Sequence, residues 1–235
     1  MGRIGCLLLF LAVFGGLWLA GRNYLRQHPQ DVPWTQLRLN DPVGRFTAQK
    51  IAALGETPAQ CRRLLADAGL SIAAADPRRS SNLACGYEDG MRLDGDFRPA
   101  GLVTSCPVAA ALALWQERVV QPAARRHFGE RVAELRHAGS FSCRRLYGRD
   151  EGRWSEHATA DAVDVTGFRL AGGDDVSVLA DWDDPGAKAA FLRDVRDGAC
   201  PLFSTVLSPD YNDAHADHFH LDTANRGGGG WTLCR

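Results

Sequence analysis

The sequence has no basic excess: 27 lysines and arginines stand against 28 aspartates and glutamates in 235 residues, a formal net charge of −1. Nucleic-acid binding usually comes with a clear positive surplus, so no nucleic acid is expected as a partner. No Cys-x-x-Cys pair occurs among the seven cysteines, which removes zinc knuckles and thioredoxin-type motifs. No Gly-x-Ser-x-Gly elbow is present to seat a serine nucleophile. There is no internal repeat, and the 45% hydrophobic and 23% charged content is ordinary for a globular chain. What remains is enough chain for one good-sized domain with an appendage.

The appendage is N-terminal. Ile4 to Ala20 runs without a charge, preceded by Arg3 and followed by Arg22 and Arg26. That length is at the short end for a membrane-spanning helix. A cleavable signal has a shorter apolar core and a small-x-small exit, and Leu17-Trp18-Leu19-Ala20-Gly21-Arg22 offers none. The reading is an uncleaved signal anchor over residues 1–21, crossing the cytoplasmic membrane; secretion after cleavage is the alternative. Residues 22–45, polar and carrying Pro29, Pro33 and Pro42, read as an extended extracytoplasmic linker. Downstream, Cys61, Cys85, Cys106, Cys143, Cys200 and Cys234 form an even set that fits up to three disulfides in an oxidising compartment, their pairing open.

Residues 46–235 read as a single domain. Thr57-Pro58 opens a helix with proline at its first position, Cys61, Leu64, Leu65 and Ala68 on one face and Gly69 at its end. Residues 70–106 read as short strands and turns. A second helix spans 107–121, with Val108, Ala111, Leu112, Trp115 and Val119 at helical spacing and Pro122 ending or kinking it. Strand texture follows at 132–135, 162–167 and 176–179, then a helix from Asp184-Pro185 to near Gly198 and a last strand at 218–222. Gly227 to Gly230 reads as a short flexible stretch. The expected class is α+β, a small antiparallel sheet flanked by helices.

Two clusters carry the chemistry: Ser155 to Asp164, and His215-Ala216-Asp217-His218-Phe219-His220. His157 and Asp164 stand an odd number of residues apart, so one continuous strand would put them on opposite faces. The chain must therefore turn between them, at Ala158-Thr159-Ala160. His218 and His220 share one face of a strand, so both are ligands, or one binds metal and the other accepts a proton. Jointly the clusters read as two halves of one divalent-metal site, zinc, because imidazole and carboxylate are the usual ligands of an open catalytic zinc. Surface histidines, an Asp164–arginine pair or a Ser155 nucleophile would leave most of this pattern idle.

At these residues a family resemblance enters. Ser155-x-His157-x-x-Ala160-x-Ala162-x-Asp164 resembles the Ser-x-His-x-x-Gly-x-Ala-x-Asp signature of the zinc peptidases that cut peptidoglycan peptides. That superfamily includes the D-alanyl-D-alanine carboxypeptidases and dipeptidases, the penicillin-insensitive murein endopeptidases and the hedgehog zinc fold. More closely, the chain from about Pro33 to Cys234 resembles the bacterial extensin-like C-terminal domain family. The resembling segments are Pro33-Trp34-Thr35, Ala138 to Arg144, Ser155 to Ala158, and Asp210-Tyr211-Asn212 through His218 to Asp222.

The resemblance implies a hedgehog/D-Ala-D-Ala-peptidase-like fold, Zn2+ on His157, Asp164 and His220, and a peptidoglycan peptide as substrate. It implies catalytic help from His218 and His215, or an acidic base at Asp217. Strand alternation prefers His218 as base, since Asp217 would face away unless the backbone bulges. Arg144 falls where relatives carry an arginine suited to gripping a carboxylate or polarising a carbonyl. Asp222 is expected beside His220 or His218. Ala160 replaces the signature glycine, a change that a turn with negative φ would accommodate. No Glu-x-x-His leads into His220, which argues against the carboxypeptidase and dipeptidase branches. The implied activity is an exported endopeptidase; the alternative is a non-catalytic zinc domain that binds cell-wall peptide or an envelope protein.

Overall fold

The computed structural model describes residues 2–68, 72–226 and 232–235; the expected helix end at Gly69 and the glycine run 227–230 lie outside them. The uncharged N-terminal run forms α1 (Gly2–Gln27), long and apolar enough to cross a membrane. Next come α2 (Thr47–Ala53) and α3 (Pro58–Asp67), the latter burying Cys61 and Leu65. The stretch expected as an extended tether is instead docked: Val32 and Leu39 are buried, and Lys50 on α2 donates to Pro29 O at 2.7 Å and Thr35 Oγ1 at 2.6 Å. The apolar residues scattered among its prolines give the segment something to bury, which polarity averaged over the stretch conceals.

Short strands follow: β1 (Ile72–Ala74), β2 (Arg78–Arg79), β3 (Gly86–Tyr87), β4 (Met91–Leu93), β5 (Phe97–Arg98) and β6 (Leu102–Thr104). Then α4 (Cys106–Trp115) is buried around nearly its whole circumference. It does not stop at Pro122. A π-helical turn, Gln116–Val120, carries the chain into α5 (Gln121–Phe128). Proline lacks an N–H and its ring crowds the carbonyl four residues back, and a wider turn is a way to relieve both.

The second half holds β7 (Val132–Gly139), β8 (Ala162–Leu170), β9 (Asp175–Ser177), α6 (Val178–Asp181), α7 (Ala187–Ala199), β10 (Thr205–Leu207), β11 (Phe219–Asp222) and β12 (Leu233–Cys234). The strand expected at 176–179 is cut short because Ser177 caps α6, accepting from Ala180 N, while Ser177 N donates to Asp181 Oδ2 at 2.7 Å. The main sheet runs β12-β10-β11-β8-β7-β5, with β9 also on β8. The architecture is α+β, but this sheet is mixed: β5 lies parallel to β7, and β12 parallel to β10. The α4–α5 crossover supplies the length that a parallel β5–β7 pair needs. Trp115, Phe168, Phe191 and Phe203 pack as the aromatic centre of the core between sheet and helices.

Three disulfides cross-link the domain: Cys61–Cys106 inside the core, and Cys85–Cys143 and Cys200–Cys234, spanning 45, 58 and 34 residues. Closing loops of that size restricts the unfolded chain by about 4 kcal/mol each. The Cys85–Cys143 bond bears most directly on the histidine cluster, since Cys143 lies on the loop beside it.

Candidate metal centre

Strand register brings the first two groups together. β11 pairs antiparallel with β8 so that His220 stands directly opposite Asp164, with Phe219 opposite Val165 on the next pair. Phe219, Val163 and Val165 are fully buried in the core, which leaves His220 and Asp164 on the other face.

The third group arrives by the turn. Ser155 accepts from His157 N at 3.3 Å and opens a 3-10 turn, Glu156–Thr159, that Ala160 closes. Ala160 takes φ +60°, in the left-handed region, so the expected negative-φ turn is corrected. The turn demands a left-handed backbone at this position, and alanine meets it at a cost of about 1–2 kcal/mol. The surroundings enforce the conformation: the Ala160 carbonyl accepts from Ser105 N at 2.8 Å and Ser140 Oγ at 3.2 Å.

The result is a near-equilateral triangle. His157 Nε2, Asp164 Oδ1 and His220 Nδ1 lie 3.1 Å from one another along all three edges. The outer nitrogens fix the tautomers. His157 Nδ1–H donates to Ser140 O at 2.6 Å, and His220 Nε2–H donates to the buried Asp222 Oδ2 at 3.2 Å. Each ring therefore turns a lone pair inward, toward a carboxylate oxygen. Three converging lone pairs at such separations call for a cation among them, and these three residues form a group able to hold a metal ion. In the metal-free protein a proton takes that part. Burial opposes charge on His220, but its hydrogen bonds to Asp164 and Asp222 hold the ring up at about 9. Burial likewise opposes charge on Asp164, and the two imidazoles override it, holding the carboxyl well below its usual range.

Around the triangle is a cavity of about 110 Å³ whose lining includes Arg144, Tyr147, Ser155, His215 and His218. His218 Nε2 is 3.5 Å from Asp164 Oδ1, while its Nδ1–H donates to Asp217 Oδ1 at 2.7 Å. Asp217 is 62% exposed and does not line the cavity. The two candidate bases are thus one hydrogen-bonded pair, with imidazole inward and carboxylate behind it. His215 is buried; its Nδ1–H donates to Asn212 Oδ1 at 2.7 Å, and Asn212 Nδ2 donates to the Tyr147 hydroxyl at 3.3 Å. Burial, then the neighbouring His218 and His220, push the His215 ring down to about 4. Arg144 is exposed at the rim.

Three participants escaped sequence reasoning. Ser140 acts through its carbonyl, which no residue type advertises. Tyr147 sits on an irregular loop with φ +57°. Asn212 lies inside a resembling segment but is neither a ligand nor an acid–base group.

Residues 59–235 match the family described as extensin-like protein C-terminus. The chain belongs to this family. No curated protein and no solved structure matches the chain. Every residue of the triangle and its rim lies within the matched extensin-like region, whereas α1, the docked segment after it and α2 precede it.

Proposed function

We propose that this extensin-like domain is an exported zinc metallopeptidase that hydrolyses peptide bonds in peptidoglycan, held outside the cytoplasmic membrane by α1. The observation that carries the proposal is the triangle of inward lone pairs. Ligand atoms of a tetrahedral zinc with bonds of 2.0–2.1 Å stand about 3.3 Å apart. The 3.1 Å edges of this site fit that spacing with little adjustment. Two imidazoles and one carboxylate leave a fourth position open, the donor set of a hydrolytic zinc rather than a closed structural one. The disulfides fit an oxidising compartment, and the resemblance to peptidoglycan peptidases supplies the substrate class by analogy.

His157, Asp164 and His220 would hold the ion, with Ser140 and Asp222 fixing the two rings. Bound zinc would act as a Lewis acid and bring a water's pKa toward neutrality. His218 would act as general base: its Nε2 lies 3.5 Å from Asp164 Oδ1, and the hydrogen bond from its Nδ1–H to Asp217 leaves that nitrogen free to accept a proton. Arg144 is the better candidate to steady an oxyanion or grip a substrate carboxylate. His215, with its proton committed to Asn212, presents an acceptor to the cavity and lacks the donor that an oxyanion needs.

The test is metal content and digestion with the full-length chain in detergent. The expected outcome is roughly one zinc per chain, lost in His157→Ala and His220→Ala, with cleavage of crosslinked muropeptides that the variants lack. A zinc-loaded chain that leaves every muropeptide intact would make this a non-catalytic wall-binding domain. Failure to take up zinc would remove the metallopeptidase altogether.

A further inference from the structure

A cavity remote from the histidines opens where α1 meets the domain. It measures about 780 Å³, and Trp18, Arg22, Arg26, Trp34 and Arg38 are among its lining. We propose that this groove seats the phosphate headgroup of an anionic membrane phospholipid, so that the protein selects its lipid as well as crossing the bilayer. This rests on the reading of α1 as an uncleaved anchor.

Position along the helix comes first. An 18-residue window of the span Ile4–Gln27 reaches a mean hydropathy of 2.3, and none of that window is buried. At 1.5 Å per residue, the uncharged part from Ile4 to Ala20 covers about 25 Å, close to the thickness of a hydrocarbon core. Arg22 and Arg26 therefore emerge at headgroup depth. Trp18, Arg22 and Arg26 follow one another at four-residue spacing, a single stripe on the helix, and the Arg22 guanidinium lies 5.4 Å from the Trp18 ring centroid.

The opposite wall is built rather than loose. His28 N donates to Tyr24 O at 2.9 Å, carrying helical bonding across the junction. Thr35 Oγ1 donates to Pro29 O at 2.6 Å, and the buried Lys50 ammonium ties Pro29 and Thr35 together from below. This knot holds the Pro33-Trp34 turn outward, leaving Trp34 78% exposed. An indole so displayed beside an apolar helix suits the membrane interface, where its apolar body and N–H are both satisfied.

Charge decides the occupant. Among the described residues the groove is lined by three arginines and by no aspartate or glutamate. Among the described residues none of these guanidiniums has an ion-pair partner. Planar guanidinium forks match phosphate oxygens, and basic groups at a bilayer surface are attracted to anionic lipid. Zwitterionic headgroups satisfy the same forks but bring an ammonium that nothing in the lining complements.

The experiment places the full-length chain in nanodiscs of equal phosphatidylglycerol and phosphatidylcholine and counts retained lipids by native mass spectrometry. The expected result is retention of phosphatidylglycerol over phosphatidylcholine by about tenfold. Preference should fall to parity in R22Q/R26Q/R38Q and persist in R92Q, an exposed arginine elsewhere. Equal retention by the wild type, or a preference that survives the triple substitution, overturns the seat. Displacement by millimolar inorganic phosphate in place of retained lipid overturns the lipid as occupant. Recovery of the expressed protein as a soluble chain lacking residues 1–21 overturns the anchor reading, and the seat with it.

Discussion

The floor of the candidate centre and its rim are held in different ways. His157, Asp164 and His220 stand on paired strands and a capped turn, and both outer ring nitrogens are pinned, one by a backbone carbonyl and one by a buried carboxylate. Arg144, Tyr147, Asn212 and His218 hang from loops, and the Asn212–Tyr147 and His218–Asp217 links run side chain to side chain over exposed partners. Rigid mounting suits a group that must present a lone pair at fixed distance. Looser mounting suits groups that meet a substrate and exchange protons. The contrast implies that metal affinity and turnover can be separated by mutation.

The strongest way to test the contrast is to remove a floor ligand. His157→Ala and His220→Ala should abolish stoichiometric zinc and hydrolysis together, measured by elemental analysis and muropeptide digestion, while the core beneath the sheet stays folded. Loss of a rim base should behave otherwise. His218→Ala should keep its zinc and lower kcat by about 10²–10⁴, the range for a positioned general base. Asp217→Asn should cost less, since it leaves the imidazole in place. If His218→Ala lost zinc as well, His218 would belong to the floor and the division would fail.

Between floor and rim stands Asp222, 4% exposed and bonded to His220. Asp222→Asn should weaken zinc by about 10–100-fold without removing it, as measured by competition with a chelator. The same pinning gives the metal-free protein a pH signature. The His220 pKa is raised to about 9 against an ordinary 6.5, so the folded state binds its proton more tightly than the unfolded chain. That contribution is fully present below the unfolded value and is lost as pH rises through about 9. Chelator-treated protein should therefore melt progressively lower as pH is raised from about 6.5 through about 9. Zinc-loaded protein should not, because the ion needs the ring deprotonated. Equal pH dependence with and without zinc would place the ion somewhere other than this triangle.

The same division explains which parts can be read from the chain. The convergence of His157, Asp164 and His220 is legible because candidate ligands are marked by residue type and because period-two alternation fixes which strand residues share a face. The turn at 158–160 follows from the odd spacing alone. The pairing of His218 with Asp217 is not legible: alternation places a side chain on a face but says nothing of a neighbour reaching round to its far nitrogen. Ser140 is invisible because it works through a carbonyl. The docking of segment 28–45 is hidden because Val32 and Leu39 are sparse among prolines and charges, and the Lys50 bonds to Pro29 and Thr35 come from α2, outside the segment. β12 depends on Cys200–Cys234 holding it near β10, a pairing the spacing leaves open.

The smallest expected effect lies at Ala160, where the sequence departs from the signature. Its methyl is fully buried and its φ is +60°. Ala160→Gly would relieve about 1–2 kcal/mol of left-handed strain. It would also forfeit about 0.8 kcal/mol of methyl burial and free the unfolded chain by roughly 0.5–1 kcal/mol. These terms nearly cancel, so thermal or denaturant unfolding should shift by less than about 1 kcal/mol in either direction. Zinc affinity should hardly change, because Ser105 and Ser140 fix the Ala160 carbonyl whatever the side chain. A loss above about 2 kcal/mol would show that packing around the methyl, rather than backbone strain, governs the turn. The floor would then owe its geometry to side-chain fit at Ala160, and the rigidity ascribed to its backbone hydrogen bonds would have to be reassigned.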